Sequence, residues 1–194
     1  MKIIGITGNS GSGKSTISKM VQDKCNGIVI DADKIARNMA CADSNYLKEI
    51  ANVFGTDIIS NNKLDRKKMA DIIFNDKIQK EKMDKITFKY VVNEIKLRIN
   101  LAKEQYDCII LDVPLLFESK LNEICDYTIG VIAKEEDKIC RICKRDNINR
   151  EKAIQRINSQ PSDEFYINNC DYIINNSNIE EIRVKVNEML IKLQ

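Results

Sequence analysis

The chain has 194 residues, of which 43% are hydrophobic and 31% are charged, a composition typical of a folded globular protein rather than a disordered one. Its 31 basic and 29 acidic residues give a net charge of only +2, which disfavours a protein that binds a nucleic-acid backbone. Histidine is absent, which excludes a histidine general base and a histidine metal ligand.

Short apolar runs alternate with helical segments along the chain. Five apolar runs predict strands at 2–7, 28–30, 108–113, 127–132 and 172–174. Helices are predicted at 14–24, 46–54, 66–74, 77–103, 135–146, 149–159 and 179–193. This alternation favours an α/β fold with a parallel five-stranded sheet flanked by helices.

The domain organisation follows from the helical block between the second and third strands, which is longer than a simple crossover. We expect one domain over 1–194, whose core comprises 1–39, 106–134 and 166–194. Residues 40–105 are predicted to form a helical insert on the substrate side. Residues 135–165 are predicted to form a helical lid.

The segment from Gly8 to Ser15 matches the P-loop motif G-x-x-x-x-G-K-[ST], and it lies between a predicted buried strand and a predicted helix. Glycines allow backbone N–H groups to turn toward phosphate oxygens, and the helix N-terminus adds partial positive charge. Lys14 is expected to contact the β- and γ-phosphates, and the Ser15 hydroxyl to hold Mg²⁺. The motif predicts that the α/β fold is of the P-loop NTPase type and that the ligand is a nucleoside triphosphate of the ATP or GTP type. Its expected contacts are Gly11, Ser12, Gly13, Lys14, Ser15 and Thr16.

Three aspartates lie at or just after the ends of predicted strands, at the sheet edge where ligands bind in open α/β folds. Asp112 either holds Mg²⁺, directly or through water, or is an ordinary strand-end residue. Alternation along an extended chain predicts the carboxylates of Asp31 and Asp33 on one side. One can then orient Mg²⁺-bound water while the other accepts a proton from an alcohol. The alternative is that Asp33 only caps the following helix.

Residues 134–160 carry many basic side chains, among which Arg141 and Arg145 are four residues apart and share a helix face. In a phosphoryl-transfer enzyme, such a segment can close over ATP and neutralise the transferring group. The alternative is a solvated hairpin whose basic residues pair with acidic neighbours.

Two other motif matches carry less weight. Residues 62–65 match the guanine-binding N-K-x-D tetrad, but they lie among predicted helices and the chain has no D-x-x-G, which disfavours a GTPase. Cys140 and Cys143 form C-x-x-C, but structural zinc needs further ligands, so the seven cysteines are interpreted as free thiols. Because the sequence has neither an 18-residue apolar run nor a signal-peptide pattern, we expect a cytoplasmic protein without a membrane partner.

Several longer motifs occur in a fixed order along the chain. They are T-G-x-x-G-S-G-K-S-T at 7–16, D-A-D-x-I-A-R at 31–37, F-G-x-D-I at 54–58, L-D-R at 64–66, I-F-N-D at 73–76, V-P-L-L-F-E at 113–118, R-x-x-x-R-D at 141–146, R-I-x-x-Q at 156–160 and D-x-x-I-x-N-S at 171–177. Together they resemble the motifs of the dephospho-CoA kinase family over nearly the whole chain. The P-loop alone would be generic, whereas D-A-D-x-I-A-R together with V-P-L-L-F-E is specific to this family.

The resemblance implies an enzyme that transfers the ATP γ-phosphoryl group to the ribose 3′-hydroxyl of dephospho-CoA, the last step of coenzyme A synthesis. The resemblance also implies that residues 34–105, which include the helical insert 40–105, and residues 114–118 bind the small-molecule acceptor. The expected protein is a monomer or a weak homo-oligomer. Its expected catalytic residues are Asp33 as base, Lys14 and Arg141. Arg145 and Asn175 are expected to contact the nucleotide. The residues expected to bind Mg²⁺ or its water ligands are Ser15, Asp31 and Asp112.

One motif departs from the family pattern. Family members usually carry I-T-H-P where this chain has Ile86-Thr87-Phe88-Lys89. Without the proline the helix can continue unbroken. Phe88 could stack on adenine or fill the core, and Lys89 could meet a phosphate. Two alternatives stay open from the sequence: another small P-loop kinase acting on a nucleoside or sugar alcohol, and a non-catalytic ATP-binding regulator.

Overall fold

A computed structural model describes residues 1–41, 44–74, 76–176 and 179–192. Asn75 and Ser177, which carry parts of the sequence motifs, and position 193, the predicted end of the last helix, lie outside these segments. Two compact units are present: 1–30 with 101–194, and 31–100. Each is described by itself below. The assignment of 40–105 as acceptor insert and of 135–165 as lid stays a prediction.

The elements follow the predicted alternation. The strands are β1 (Lys2–Gly8), β2 (Gly27–Asp31), β3 (Ile59–Ser60), β4 (Lys63–Leu64), β5 (Cys108–Asp112), β6 (Tyr127–Ile132) and β7 (Tyr172–Asn175). The helices are α1 (Lys14–Lys24), α2 (Ala32–Met39), α3 (Asn45–Phe54), α4 (Arg66–Phe74), α5 (Lys77–Ala102), α6 (Glu135–Asp146), α7 (Arg150–Asn158), α8 (Asp163–Asn169) and α9 (Ile179–Lys192).

The first unit is built on the five-stranded sheet, whose order is β2-β5-β1-β6-β7. The central strand β1 pairs in parallel with both neighbours, so that Ile4 lies opposite Ile110 on β5 and opposite Tyr127 on β6. All five residues of β5 are buried. A parallel sheet that is covered on both faces requires such continuous apolar strands. The predicted five-stranded parallel sheet is therefore confirmed.

The core of this unit joins the sheet to helices α1 and α9. Ile6 on β1 and Ile129 on β6 are fully buried and belong to the same cluster as Ile17 on α1 and Ile182 on α9. Burial of one such side chain contributes about 1.5–3 kcal/mol. This packing fixes α1 against the sheet, and with it the loop between β1 and α1. In the described segments, no helix is long and apolar enough to cross a membrane.

The second unit is mainly helical and has its own core. Its buried cluster comprises Ala40, Tyr46, Ile50, Ile58, Met69 and Ile86. Strands β3 and β4 form a short antiparallel hairpin that the sequence analysis did not predict. Each strand has two residues, which is too short for an alternating pattern to be visible in the sequence. Helix α5 is 26 residues long and continues through Phe88, as the absence of proline predicted.

Candidate active site

The phosphate loop between β1 and α1 has a backbone that only glycine adopts readily. Gly11 has φ 77° and Gly13 has φ 96°, both in the left-handed region. A Cβ atom at Gly11 would lie 2.6 Å from the carbonyl oxygen of Lys138, so the close approach of α6 also requires glycine here. Gly13 is the N-cap of α1 and brings no capping side chain. No side chain therefore caps the start of α1, which favours an anion there, although the Thr16 N–H already donates to the Gly13 carbonyl oxygen at 3.0 Å.

Lys14 is held against the phosphate loop. Its ammonium donates hydrogen bonds to the carbonyl oxygens of Gly8, at 2.9 Å, and Asn9, at 3.2 Å. Ser15 and Thr16 follow in the first turn of α1 and are exposed. Ser12 is buried, and its hydroxyl has no hydrogen-bond partner among the residues described. A bound ligand commonly explains such an unpaired buried group.

Asp112 occupies the last position of β5 and is only 5% exposed. Its Oδ2 accepts a hydrogen bond from the Ser18 hydroxyl of α1 at 3.1 Å. Sequence reasoning missed Ser18, although its place one turn after Ser15 could have drawn attention to it. The hydrogen bond ties the carboxylate at the end of β5 to the helix that begins at the phosphate loop.

The donor set of the first unit fits Mg²⁺. The Ser15 hydroxyl and the Asp112 carboxylate are the hard oxygen ligands that this ion prefers. Within the described segments, no group of three or more His, Cys, Asp or Glu side chains could hold a metal. Mg²⁺ is commonly bound by only one or two protein oxygens, together with water and phosphate oxygens. The residues thus suit an ion that arrives with a nucleotide.

The D-A-D segment differs from its prediction. Strand β2 ends at Asp31 and α2 begins at Ala32, so Asp33 lies in the first helical turn and not on an extended chain. The prediction that strand alternation sets both carboxylates on one side is therefore wrong. The N-cap is Asp31, whose Oδ1 accepts from the Lys34 backbone N–H at 2.8 Å. Asp33 is exposed and caps nothing, so the alternative of Asp33 as the N-cap is wrong.

Both predicted lid arginines reach the phosphate loop. Nη1 of Arg141 donates to the carbonyl oxygens of Gly11, at 3.0 Å, and Ser12, at 3.3 Å. Nη2 of Arg145 donates to the Ser10 hydroxyl at 3.1 Å. Both side chains therefore contact the same loop, as expected for two residues that are four positions apart on one helix face. The two guanidinium groups bring positive charge to the place where a triphosphate would bind.

The charged-hairpin alternative describes another part of the same segment. Asp146 is paired with Arg145, at 2.8 Å, and with Arg156. The hydrogen bond from Arg145 is the main reason why the pKa of Asp146 is lowered, and its desolvation opposes the shift. Arg150 of α7 forms a bidentate pair with Glu136 of α6. The acidic residues thus hold α6 and α7 together.

Sequence reasoning missed the residues that join the phosphate loop to α8. Tyr166 and Asn9 are each 3% exposed, and the Tyr166 hydroxyl donates to Asn9 Oδ1 at 2.9 Å. Asn9 Nδ2 in turn donates to the Pro161 carbonyl oxygen at 3.0 Å. Burial raises the pKa of Tyr166 well above its usual value, so the hydroxyl stays a donor. Ser10 N–H donates to the Gln160 side chain at 2.9 Å.

The strand β7 brings an asparagine to the loop, but it is the neighbour of the predicted one. Asn175 is exposed at the end of β7. Nδ2 of Asn176 donates to the Ser12 carbonyl oxygen at 2.7 Å, and the backbone carbonyl oxygen of Asn176 accepts from Arg141 Nη2 at 3.3 Å. The role of Asn175 beside adenine stays a prediction.

Lys89 has a protein partner in the second unit. Its ammonium lies 2.7 Å from Glu49 Oε2, which also accepts from the Tyr90 hydroxyl at 2.8 Å. The hydrogen bond from Lys89 is the main reason why the pKa of Glu49 is lowered. Phe88 is half-buried. The segment that replaces the family I-T-H-P thus joins α5 to α3.

The parallel sheet, the phosphate loop after its central strand and the arginines from α6 define a P-loop kinase. Residues 2–181 match the dephospho-CoA kinase family. The chain therefore belongs to the dephospho-CoA kinase family, and the resemblance found in the sequence is confirmed.

Individual relatives agree over almost the full length. A protein named dephospho-CoA kinase from Fusobacterium nucleatum is 43% identical over 188 residues, which are 95% of this chain and 94% of that protein. The solved structure of dephospho-CoA kinase from Campylobacter jejuni has a TM-score of 0.70 at 25% identity, covering 98% of this chain and 96% of its own. The structure of TT1252 from Thermus thermophilus has a TM-score of 0.82 at 26% identity, covering 99% of this chain and 97% of that protein.

Proposed function

We propose that this protein transfers the γ-phosphoryl group of ATP to the ribose 3′-hydroxyl of dephospho-CoA, giving coenzyme A and ADP. The observation that carries the proposal is the contact of Arg141 with the Gly11 and Ser12 carbonyl oxygens. It places a guanidinium beside the phosphate loop, which a kinase needs and a simple nucleotide-binding protein does not. The acceptor, dephospho-CoA, is inferred from membership of the dephospho-CoA kinase family.

The phosphate loop and α1 bind the triphosphate. Backbone N–H groups of the phosphate loop, among them those of Gly11, Gly13 and Ser15, donate to the β-phosphate, and Lys14 contacts the β- and γ-phosphates. The N–H groups of Ser12 and Thr16 already donate within the loop, to the carbonyl oxygens of Asn9 and Gly13. Because Lys14 is already held by two loop carbonyls, little ordering of its side chain remains when the nucleotide binds. Asn175 is proposed to lie beside the adenine.

Ser15 and Asp112 would hold Mg²⁺. When bound, the ion neutralises the charge that develops on the β- and γ-phosphates. The Asp112 carboxylate is pre-positioned by Ser18. Asp31 is proposed to act only through water, because its Oδ1 is engaged in capping α2 and its Oδ2 lies 3.7 Å from the Lys34 ammonium.

Asp33 is the proposed base. It accepts the proton of the 3′-hydroxyl while the oxygen–phosphorus bond to the acceptor forms and the bond between the γ-phosphorus and ADP breaks. Its carboxylate is suited to this role because Asp31 caps α2 and leaves Asp33 exposed. Arg141 and Arg145 stabilise the transferring group. The proposed form is a cytoplasmic monomer or weak homo-oligomer, whose size gel filtration would measure.

The test is a panel of acceptors incubated with γ-labelled ATP: dephospho-CoA, a nucleoside and a sugar alcohol. We expect label on dephospho-CoA at least 100-fold faster than on the others, because a site built for one polar substrate leaves polar groups unpaired with another. A preference for the nucleoside or the sugar alcohol would show another P-loop kinase. Absence of label on every acceptor, with ATP bound, would show a non-catalytic protein.

A further inference from the structure

The second unit contains an open cavity of about 300 Å³ beside the proposed base. It is lined by Asp33, Ala36 and Arg37 from α2 and by Arg66 from α4. Its charged groups are two guanidiniums and one carboxylate, so the cavity carries a net positive charge. A small open cavity of this charge suits an anion with more than one oxygen.

The backbone holds the two sides of the cavity together. The Leu64 N–H donates to the Ala40 carbonyl oxygen at 2.9 Å, which ties the end of β4 to the residue that follows α2. The Asp65 N–H donates to the Ile58 carbonyl oxygen at 2.7 Å. Helix α4 begins at the next residue, Arg66. The short hairpin thus sets the start of α4 at a fixed position beside α2.

The arginines are arranged to receive a ligand. Arg37 Nε donates to the Asp33 backbone oxygen at 3.1 Å, which orients the guanidinium, and within the described segments neither terminal nitrogen has a hydrogen-bond partner. Arg66 makes no hydrogen bond or ion pair with the residues that the structure describes. The N–H groups of the first turn of α4 are not part of this site, because those of Lys67 and Lys68 already donate to Asp65 Oδ1, at 3.1 Å each. The planar fork of a guanidinium matches phosphate oxygens in pairs.

The distance between the base and the arginine suits the proposed acceptor. Asp33 and Arg37 are one helical turn apart, which separates their Cβ atoms by about 5–6 Å. In dephospho-CoA, the 3′-hydroxyl and the 5′-linked diphosphate belong to the same ribose and are a few covalent bonds apart. A ribose whose hydroxyl meets Asp33 would therefore present its diphosphate one turn further along α2.

We propose that Arg37 and Arg66 bind the diphosphate of dephospho-CoA and thereby hold the ribose hydroxyl at Asp33. The proposal rests on the function proposed above. It makes these two residues specificity determinants, because they recognise a group that a nucleoside acceptor lacks. The phosphates of ATP are the other source of this chemistry, and the experiment separates the two.

The experiment compares Arg66→Gln and Arg37→Gln with the wild type, using dephospho-CoA and adenosine as acceptors. The matched control is Arg98→Gln, an exposed arginine of the same unit that pairs with Glu94 on α5. For dephospho-CoA we expect Arg66→Gln to lower kcat/KM by roughly 10- to 100-fold, as expected for a lost hydrogen bond to a charged group. Most of the change should lie in the KM for dephospho-CoA. The KM for ATP and the slow rate with adenosine should stay within about twofold of wild type.

Each alternative outcome has a distinct signature. A raised KM for ATP, with the KM for dephospho-CoA unchanged, would overturn the proposal and assign the arginines to the nucleotide. An equal loss with both acceptors would also overturn it, because the diphosphate would not be what the arginines recognise. If Arg66→Gln unfolds, Arg37→Gln and Arg66→Lys give the same comparison. No phosphorylation of dephospho-CoA by the wild type would instead refute the proposed function itself.

Discussion

Replacing Asp33 by asparagine tests whether this residue is the base. The amide has nearly the same size as the carboxylate but does not accept a proton at neutral pH. Since Asp33 is exposed and does not cap α2, its replacement should change the free energy of unfolding by less than about 0.5 kcal/mol. Loss of a positioned proton acceptor should lower kcat by roughly 10² to 10⁴, which corresponds to about 3–5 kcal/mol in activation free energy.

Asp31 provides the control, because it is the residue that caps α2. Asp31→Ala removes the hydrogen bond to the Lys34 N–H, and should cost about 1 kcal/mol of stability and lower Tm by roughly 2–4 °C. Asp31→Asn keeps the capping oxygen and should keep the Tm. If Asp31 also orients Mg²⁺-bound water, raising the Mg²⁺ concentration should partly restore kcat in Asp31→Asn but not in Asp33→Asn.

The assays are initial rates with saturating ATP and dephospho-CoA, and thermal unfolding of the same samples. The KM for ATP should change little in Asp33→Asn, because the proposed triphosphate contacts come from the phosphate loop. Asp33→Asn with normal kcat and a Tm lowered by several degrees would refute the assignment. The residue would then be structural, and the base would have to be sought elsewhere.

Three further predictions concern the phosphate loop and the lid. Lys14→Ala should abolish measurable turnover, and undiminished transfer would contradict the proposed role of the loop. Tyr166→Phe leaves Asn9 Oδ1 without its donor and should raise the KM for ATP about tenfold; the control Tyr172→Phe should not. The pKa of Asp146 is lowered in the folded protein, so its ion pairs stabilise residues 135–165 fully only at a pH above 3.8, the ordinary pKa of an aspartate. That stability should decline as the pH falls from there through the lowered pKa, and a thermal melt of Asp146→Asn should lack this dependence.

The sequence predicted those parts of the fold that depend on local patterns. The β1–α1 segment follows from an apolar run and a glycine motif, and α1, α4, β6 and α6 have the predicted limits. Helix α8 was missed because it has only seven residues, although a proline, a serine and two acidic residues mark its start. The Asp31 cap was missed because Asp31 and Asp33 are equally good caps by composition, and only the backbone distinguishes them.

The parts of the site that could not be predicted depend on contacts between distant residues. Tyr166 and Asn9 are 157 positions apart, and neither belongs to a pattern that points to the other. Asn176, by contrast, could have been found, because it is the asparagine of the D-x-x-I-x-N-S motif at 171–177, whereas Asn175 is a variable position of that motif. The two arginines of α6 were found because helical spacing alone sets them on one face.

The proposed reaction is tested by identifying the product formed from dephospho-CoA and γ-labelled ATP. We expect a single labelled product that co-elutes with coenzyme A and loses its label to a 3′-nucleotidase. Lys14→Ala and Asp33→Asn should form little of this product, while Arg98→Gln should form it at the wild-type rate. Label found on another hydroxyl, or released only as inorganic phosphate, would contradict phosphorylation of the ribose 3′-hydroxyl.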